Sequence, residues 1–220
     1  RRCLDGDSAQ VLLSSEVELE PGVKVECVSK FCYLGDTVGS GGGVVEAARA
    51  RVRCAWAKFK ELSPILTVRG ASYRIKGRIY SACVQSVLIY GTETWAMKAD
   101  DLRSLERTER MMVRWMCGVS LKDRKRSEDL CNLLGINCVA DVVRRGRLRW
   151  FGHLERKSMD DWVSACRGLV VEGTRGRGRS RKTWEQCVRD DMKLLGLHPE
   201  WAVFRDMWRD LIWGKRLTLA

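Results

Sequence analysis

The stretch Val44-Val45-Glu46-Ala47-Ala48-Arg49-Ala50-Arg51-Val52-Arg53-Cys54-Ala55-Trp56-Ala57-Lys58-Phe59-Lys60-Glu61-Leu62 decides the fold class. Val45, Ala48, Val52, Trp56, Phe59 and Leu62 recur at three- and four-residue intervals, which lines them along one side of an α-helix. Ser63-Pro64 is expected to end it, because the residue before proline is pushed out of the α region. Further helical patterns follow. Ser72 can cap a helix with Ile75, Ile79, Cys83 and Val87 inward. Asp100 opens another, with Leu102, Leu105, Met112 and Met116 inward and Gly118 as its stop. Ser127-Glu128-Asp129 starts a short helix that ends at Gly135.

Upstream, the period is two. Val17 and Leu19 lead into Pro21-Gly22, and Val23 and Val25 follow, which reads as strand, tight turn, strand. Phe31-Cys32-Tyr33-Leu34 reads as a third, more buried strand. Gly39-Ser40-Gly41-Gly42-Gly43 breaks the pattern. It lacks the spacing of a dinucleotide fingerprint and no Lys-Ser/Thr follows it, so it reads as a linker. Downstream, a second segment starts near Val139. Thr183-Trp184-Glu185-Gln186 is a capping box opening a helix with Val188, Met192 and Leu195 inward. Pro199 suits a first helical turn, ahead of Trp201, Phe204, Trp208 and Leu211. Trp56, Trp184, Trp201 and Trp208 fall on apolar stripes and read as core. The expected fold is mostly α, a helical bundle with a small N-terminal β-hairpin or sheet element. Its expected parts are 1–43, 44–138 and 139–220.

Composition narrows the function. The chain has 220 residues, with 40 Lys+Arg against 28 Asp+Glu, and a formal net charge of +12. Such a surplus draws anionic partners. No run of about 18 apolar residues is present, which excludes a transmembrane helix. The beginning, Arg1-Arg2-Cys3, has neither an initiator Met nor an apolar signal region, so the expectation is a non-secreted fragment. Ten cysteines are scattered singly with no Cys-x-x-Cys pair, and only two histidines are present. That argues against a zinc knuckle, leaving Cys166, Cys187 and His198 as a looser alternative set. Scattered thiols suit a reducing compartment, nucleus or cytoplasm.

Paired acids occur at Asp100-Asp101, Asp160-Asp161 and Asp190-Asp191. A two-metal site needs clustered carboxylates on rigid neighbouring strands. Asp100-Asp101 opens a helix and reads as a cap, and Asp190-Asp191 reads as a solvated helix face. No catalytic residue and no metal site is expected. His153 reads as a packed or phosphate-contacting residue. The strongest feature is basic. Arg175, Arg177, Arg179, Arg181 and Lys182 alternate with glycine in one loop, and Arg144, Arg145 and Arg149 lie in the segment before it. Guanidinium forks on an adaptable backbone can follow phosphates without reading bases. The alternative is a solvated linker.

Four motifs occur in order: Phe31-Cys32-Tyr33-Leu34-Gly35, Leu88-Ile89-Tyr90-Gly91-Thr92-Glu93-Thr94-Trp95, Arg147-Leu148-Arg149-Trp150-Phe151-Gly152-His153-Leu154, and Arg177-Gly178-Arg179-Ser180-Arg181-Lys182-Thr183-Trp184. Together they resemble the C-terminal part of the endonuclease–reverse transcriptase of non-LTR (LINE-like) retrotransposons, from roughly residue 15 to residue 195. The resemblance implies that residues 1–38 end a polymerase palm, with Tyr33, Leu34 and Gly35 shaping a primer-grip region. It implies that the helices from 44 to about 135 form a thumb, with Lys76 facing the template–primer duplex, and that the rest helps bind RNA or DNA. The family's Tyr-Xaa-Asp-Asp box, with its magnesium, would precede Arg1. Lys98-Ala99-Asp100-Asp101 only mimics it, in thumb territory. Cys32 stands where the family often has Lys, and Ser180 where it often has Pro. The implied partners are RNA, DNA and the palm, fingers and endonuclease of a parent polyprotein, with no membrane. The chain alone is expected not to polymerise. Two alternatives are a complete RNA-directed DNA polymerase whose upstream sequence lies outside this chain, and a basic module for acidic proteins or anionic surfaces.

Overall fold

The structure, a computed structural model, describes residues 16–39, 44–158, 160–169 and 182–214. Helices dominate, with a small β element at the N-terminal end, as the patterning expects. β1 (Glu16–Glu20) and β2 (Val23–Glu26) form an antiparallel hairpin with Val17 opposite Val25. The expected third strand, β3 (Lys30–Tyr33), folds back on β4 (Asp36–Gly39) as a separate antiparallel pair. Leu34 and Gly35 make that turn at φ 48° and 79°. The expectation of a more buried strand is corrected here: Phe31 and Tyr33 are 58% and 62% exposed. A two-stranded pair has too little apolar surface to enclose its own side chains.

α1 (Val45–Leu66) runs past Ser63-Pro64 instead of ending there. Pro64 has no N–H for the carbonyl of Lys60, and the Ser63 hydroxyl donates to that carbonyl instead, at 2.8 Å. The N–H and hydroxyl of Thr67 then close the end on the carbonyl of Ser63. Ala48 and Phe59 of the expected stripe are buried and Val52, Trp56 and Leu62 pack against the core, while Val45 is exposed.

α2 (Tyr73–Ile79) passes through a wide π-type turn, Tyr80–Gln85, into α3 (Ser86–Leu88). α4 (Ala99–Cys117) and α5 (Ser127–Leu134) follow, each stopped by a left-handed glycine, Gly118 and Gly135. Asp101 accepts from the N–H of Lys98 at 2.9 Å, so it caps α4. The expected inner face of α2 is corrected. Ile79 and Val87 do pack against the core, but Ile75 is exposed, and Lys76, Gly77, Tyr80, Val84 and Leu88 are the residues fully buried. Gly77 brings α2 against α5 so closely that a Cβ would collide with the carbonyl of Leu134. The π-type turn then shifts the phase of everything after it.

α6 (Val139–Glu155), α7 (Trp162–Gly168), α8 (Trp184–Leu195), a 3-10 turn at Pro199–Val203 and α9 (Arg205–Ile212) complete the described chain. The Thr183–Gln186 capping box is reciprocal, at 2.9 and 3.2 Å. One apolar core gathers Phe59, Tyr80, Leu105 and Met112, and a second gathers Leu148, Phe151, Val188 and Trp208. α6 belongs to both, through Val139 and Val143 in the first and Leu148 and Phe151 in the second. Leu195, expected inward, is exposed, as is Phe204, and Leu197 and Ala202 are buried. Gly196, at φ 66°, reverses the chain after α8 and turns Leu197 toward the core.

Candidate nucleic-acid interface

Arg145, Arg149 and His153 are spaced four residues apart, so helical geometry places them on one face of α6, and Arg156 follows at its C-terminal end. Across from this face lies α9, held by the crossing of Gly152 and Trp208. A Cβ on Gly152 would stand 2.5 Å from the indole of Trp208. The Trp208 Nε1–H donates to the carbonyl of Leu148 at 2.9 Å, which fixes the ring. Between the two helices runs an open groove of about 620 Å³.

The groove is basic and aromatic. Five arginines line it, Arg145, Arg149, Arg156, Arg205 and Arg209, with Glu93 as the acid on the same lining. The Arg145 guanidinium stacks over the exposed Trp213 ring at 4.7 Å. Trp150 and His153 lie 5.3 Å apart on the α6 side. Arg209 pairs with Asp206 at 3.2 Å, and Arg156 donates to the carbonyl of Ala202. Arg149 and Arg205 are exposed and have no ion pair among the described residues. Among the described groove arginines these two are the exposed ones without an ion pair, so their guanidiniums are open to an external anion.

The sequence-expected residues separate into three groups. Arg145, Arg149 and His153 meet in the groove. Arg175, Arg177, Arg179 and Arg181 lie outside the described residues. Of the others, Lys76 is corrected, while Arg144 and Lys182 carry ion pairs. Arg144 is held by Asp141 at 2.6 Å and Asp191 at 3.7 Å. Lys182 is paired with Asp190 at 2.7 Å, and that hydrogen bond raises the Lys182 pKa. Lys76 does not face outward: it is 4% exposed, and its ammonium donates to the carbonyl of Met116 near the end of α4. Asp191 is likewise not on a solvated face. Arg147, itself 6% exposed, bonds it at 2.7 Å, and burial pushes the Asp191 carboxyl above its ordinary pKa despite both guanidiniums. The alternative set Cys166, Cys187 and His198 is not gathered; among the described residues no three His, Cys, Asp or Glu side chains are placed to hold a metal.

Arg156, Arg205, Arg209 and Trp213 escaped the sequence reading. The pair Arg205 and Arg209 at i, i+4 beside Trp213 was a visible signal, though each of the two arginines is followed directly by an aspartate, Asp206 and Asp210.

The four sequence motifs meet around the 3-10 turn Thr92–Thr94. The Tyr90 hydroxyl donates to the carbonyl of Leu34 at 3.1 Å, and Arg51 lies over the Tyr90 ring at 4.6 Å. The Trp95 Nε1–H donates to Asp36 at 3.1 Å. The Trp184 Nε1–H donates to the carbonyl of Glu93 at 2.7 Å. The same turn packs along α6. The Leu34 carbonyl and the Asp36 carboxylate therefore tie the second hairpin to the bundle, while the Tyr33 ring stays exposed beside Phe31.

This is a basic, mostly α protein whose candidate site is an arginine–tryptophan groove. Among the described residues no helix is long and apolar enough to cross a membrane. No family model matches the chain, and no solved structure matches it. Among curated proteins, a putative uncharacterized transposon-derived protein of Caenorhabditis elegans is 23% identical over 178 residues, covering 77% of this chain and 62% of that protein. The chain is thus similar to a transposon-derived protein and spans less than two thirds of its length.

Proposed function

We propose that this chain is the thumb and C-terminal portion of a non-LTR retrotransposon reverse transcriptase, without the catalytic acid box, and that it holds RNA or DNA by the phosphate backbone. The motif order and the transposon-derived relative support the origin. The observation that carries the binding is the α6–α9 groove, where exposed Arg149 and Arg205 stand without ion pairs among the described residues, beside Trp213. Guanidinium forks reach two phosphate oxygens at once, and releasing condensed counterions drives the association. Neither contact needs a particular base. The magnesium of the parent enzyme would belong to upstream acids, so this chain acts by binding.

A filter-binding titration against single-stranded RNA, RNA–DNA hybrid and duplex DNA at two ionic strengths tests the reading. Binding should weaken steeply with salt. The double variant Arg149→Ala/Arg205→Ala should flatten the log–log slope by about 1.4–1.8, at ~0.7–0.9 per phosphate contact. No binding in dilute buffer would refute the proposal, and so would incorporation of deoxynucleotides by the chain alone.

A further inference from the structure

We infer that the α6–α9 groove seats an unpaired base of a single strand, with the flanking phosphates on Arg149 and Arg205. This rests on the polyanion reading and narrows it to a substrate class. The groove's volume of about 620 Å³ falls in the ~300–1,000 Å³ range of sites that enclose one small ligand. A backbone-only contact surface needs no such recess. Trp213 is 54% exposed on this groove, and Arg145 packs over its ring. The stacked guanidinium fixes the indole and leaves exposed ring surface for a base. Trp150 and His153 add a second aromatic pair on the same lining. Every base has a π-face, so such a site tolerates any sequence. A duplex hides those faces inside its stack, and exposing one costs a few kcal/mol. Duplexes should therefore use the arginines and leave the tryptophan idle.

The test compares the full chain with Trp213→Ala, Trp213→Phe and the Arg149→Ala/Arg205→Ala variant. The probes are an oligoadenylate of about 10 nucleotides and a duplex of equal length. Removing one stacking ring should weaken the oligoadenylate by about 5- to 100-fold and the duplex by less than about twofold, with Trp213→Phe recovering most of the loss. Trp213 lies outside both cores, so its replacement should leave the far-ultraviolet spectrum unchanged. Equal losses on both probes, or none on either, while the arginine variant weakens both, would overturn the base seat and leave the polyanion reading intact. Failure of the parent chain to bind either probe in dilute buffer would take both down. Adenosine monophosphate serves as a competitor. It should displace the oligoadenylate only in large excess, and displacement at equal concentration would make the groove a mononucleotide site and overturn the strand assignment.

Discussion

Glu109 on α4 is 4% exposed, yet it is ringed by donors. Its Oε2 accepts from the N–H of Val139, the first residue of α6, at 2.6 Å, and its Oε1 accepts from the Gln85 amide at 2.9 Å. Two opposing effects act on this carboxyl. Burial favours the neutral acid, and the helix-terminal N–H and Gln85 favour the anion; burial wins and lifts the pKa to about 7. Tyr80 beside it is pushed well above its ordinary value by burial and stays neutral. The folded chain therefore holds a proton on Glu109 at pH values where the unfolded chain has released it. That contribution is fully present below pH 4.5 and is lost as pH rises through about 7. At ~1.4 kcal/mol per pKa unit, stability from this group should fall by about 2–3 kcal/mol between pH 5 and pH 8. In Glu109→Gln the other titrating groups remain and cancel in the difference. Gln also offers one acceptor where Val139 and Gln85 supply two donors, which costs about 1–3 kcal/mol at every pH. Urea unfolding of both proteins at pH 5 and pH 8 gives the difference directly. The wild type should exceed Glu109→Gln by more at pH 5. A difference that is flat, or that grows toward pH 8, would show that the α6 terminus holds the carboxylate ionised and would refute the reasoning.

Three further outcomes follow from the geometry. Arg147→Ala should cost about 3–5 kcal/mol in urea unfolding, because it strands the buried Asp191 carboxylate, and Arg147→Met with Asp191→Leu should recover most of that. Gly152→Ala should destabilise by about 1–3 kcal/mol and disturb the near-ultraviolet tryptophan signal, since its methyl meets Trp208, whereas Gly146→Ala on the same helix meets nothing and should stabilise by up to ~1 kcal/mol. Replacing Arg175, Arg177, Arg179 and Arg181 by Ala should flatten the salt slope of nucleic-acid binding by up to about 3–4 units, and an unchanged slope would remove this segment from the interface.

Helix identity and helix ends were legible because they are local. Gly118 and Gly135 supply left-handed stops, and Asp101 and Gln186 reach back to their own N-caps. Faces were less legible. The α2 stripe slipped because Gly77 makes the Leu134 backbone, not a side chain, the thing packed against, and because a π-type turn breaks the 3.6 period. Pro64 was misread as a stop because the substitute donor is the residue just before it. The candidate site was half legible. Arg145, Arg149 and His153 follow from helical spacing on α6 alone. Which cations are free was only partly legible: Asp141 stands three residues before Arg144 and Asp190 eight after Lys182, but Asp191, which holds Arg147 and lies near Arg144, comes from α8, more than forty residues on. Trp213 and Arg205 join the site through the Gly152–Trp208 crossing, which periodicity cannot show.

The central claim is that polynucleotide lies between α6 and α9. Photo-crosslinking of the full chain to a thiouridine-substituted RNA, with the linked peptides mapped by mass spectrometry, reads this out. Crosslinks are expected within 145–156 and at 205–213. Crosslinks confined to α1 and α4, with both groove segments unlabelled, would contradict it.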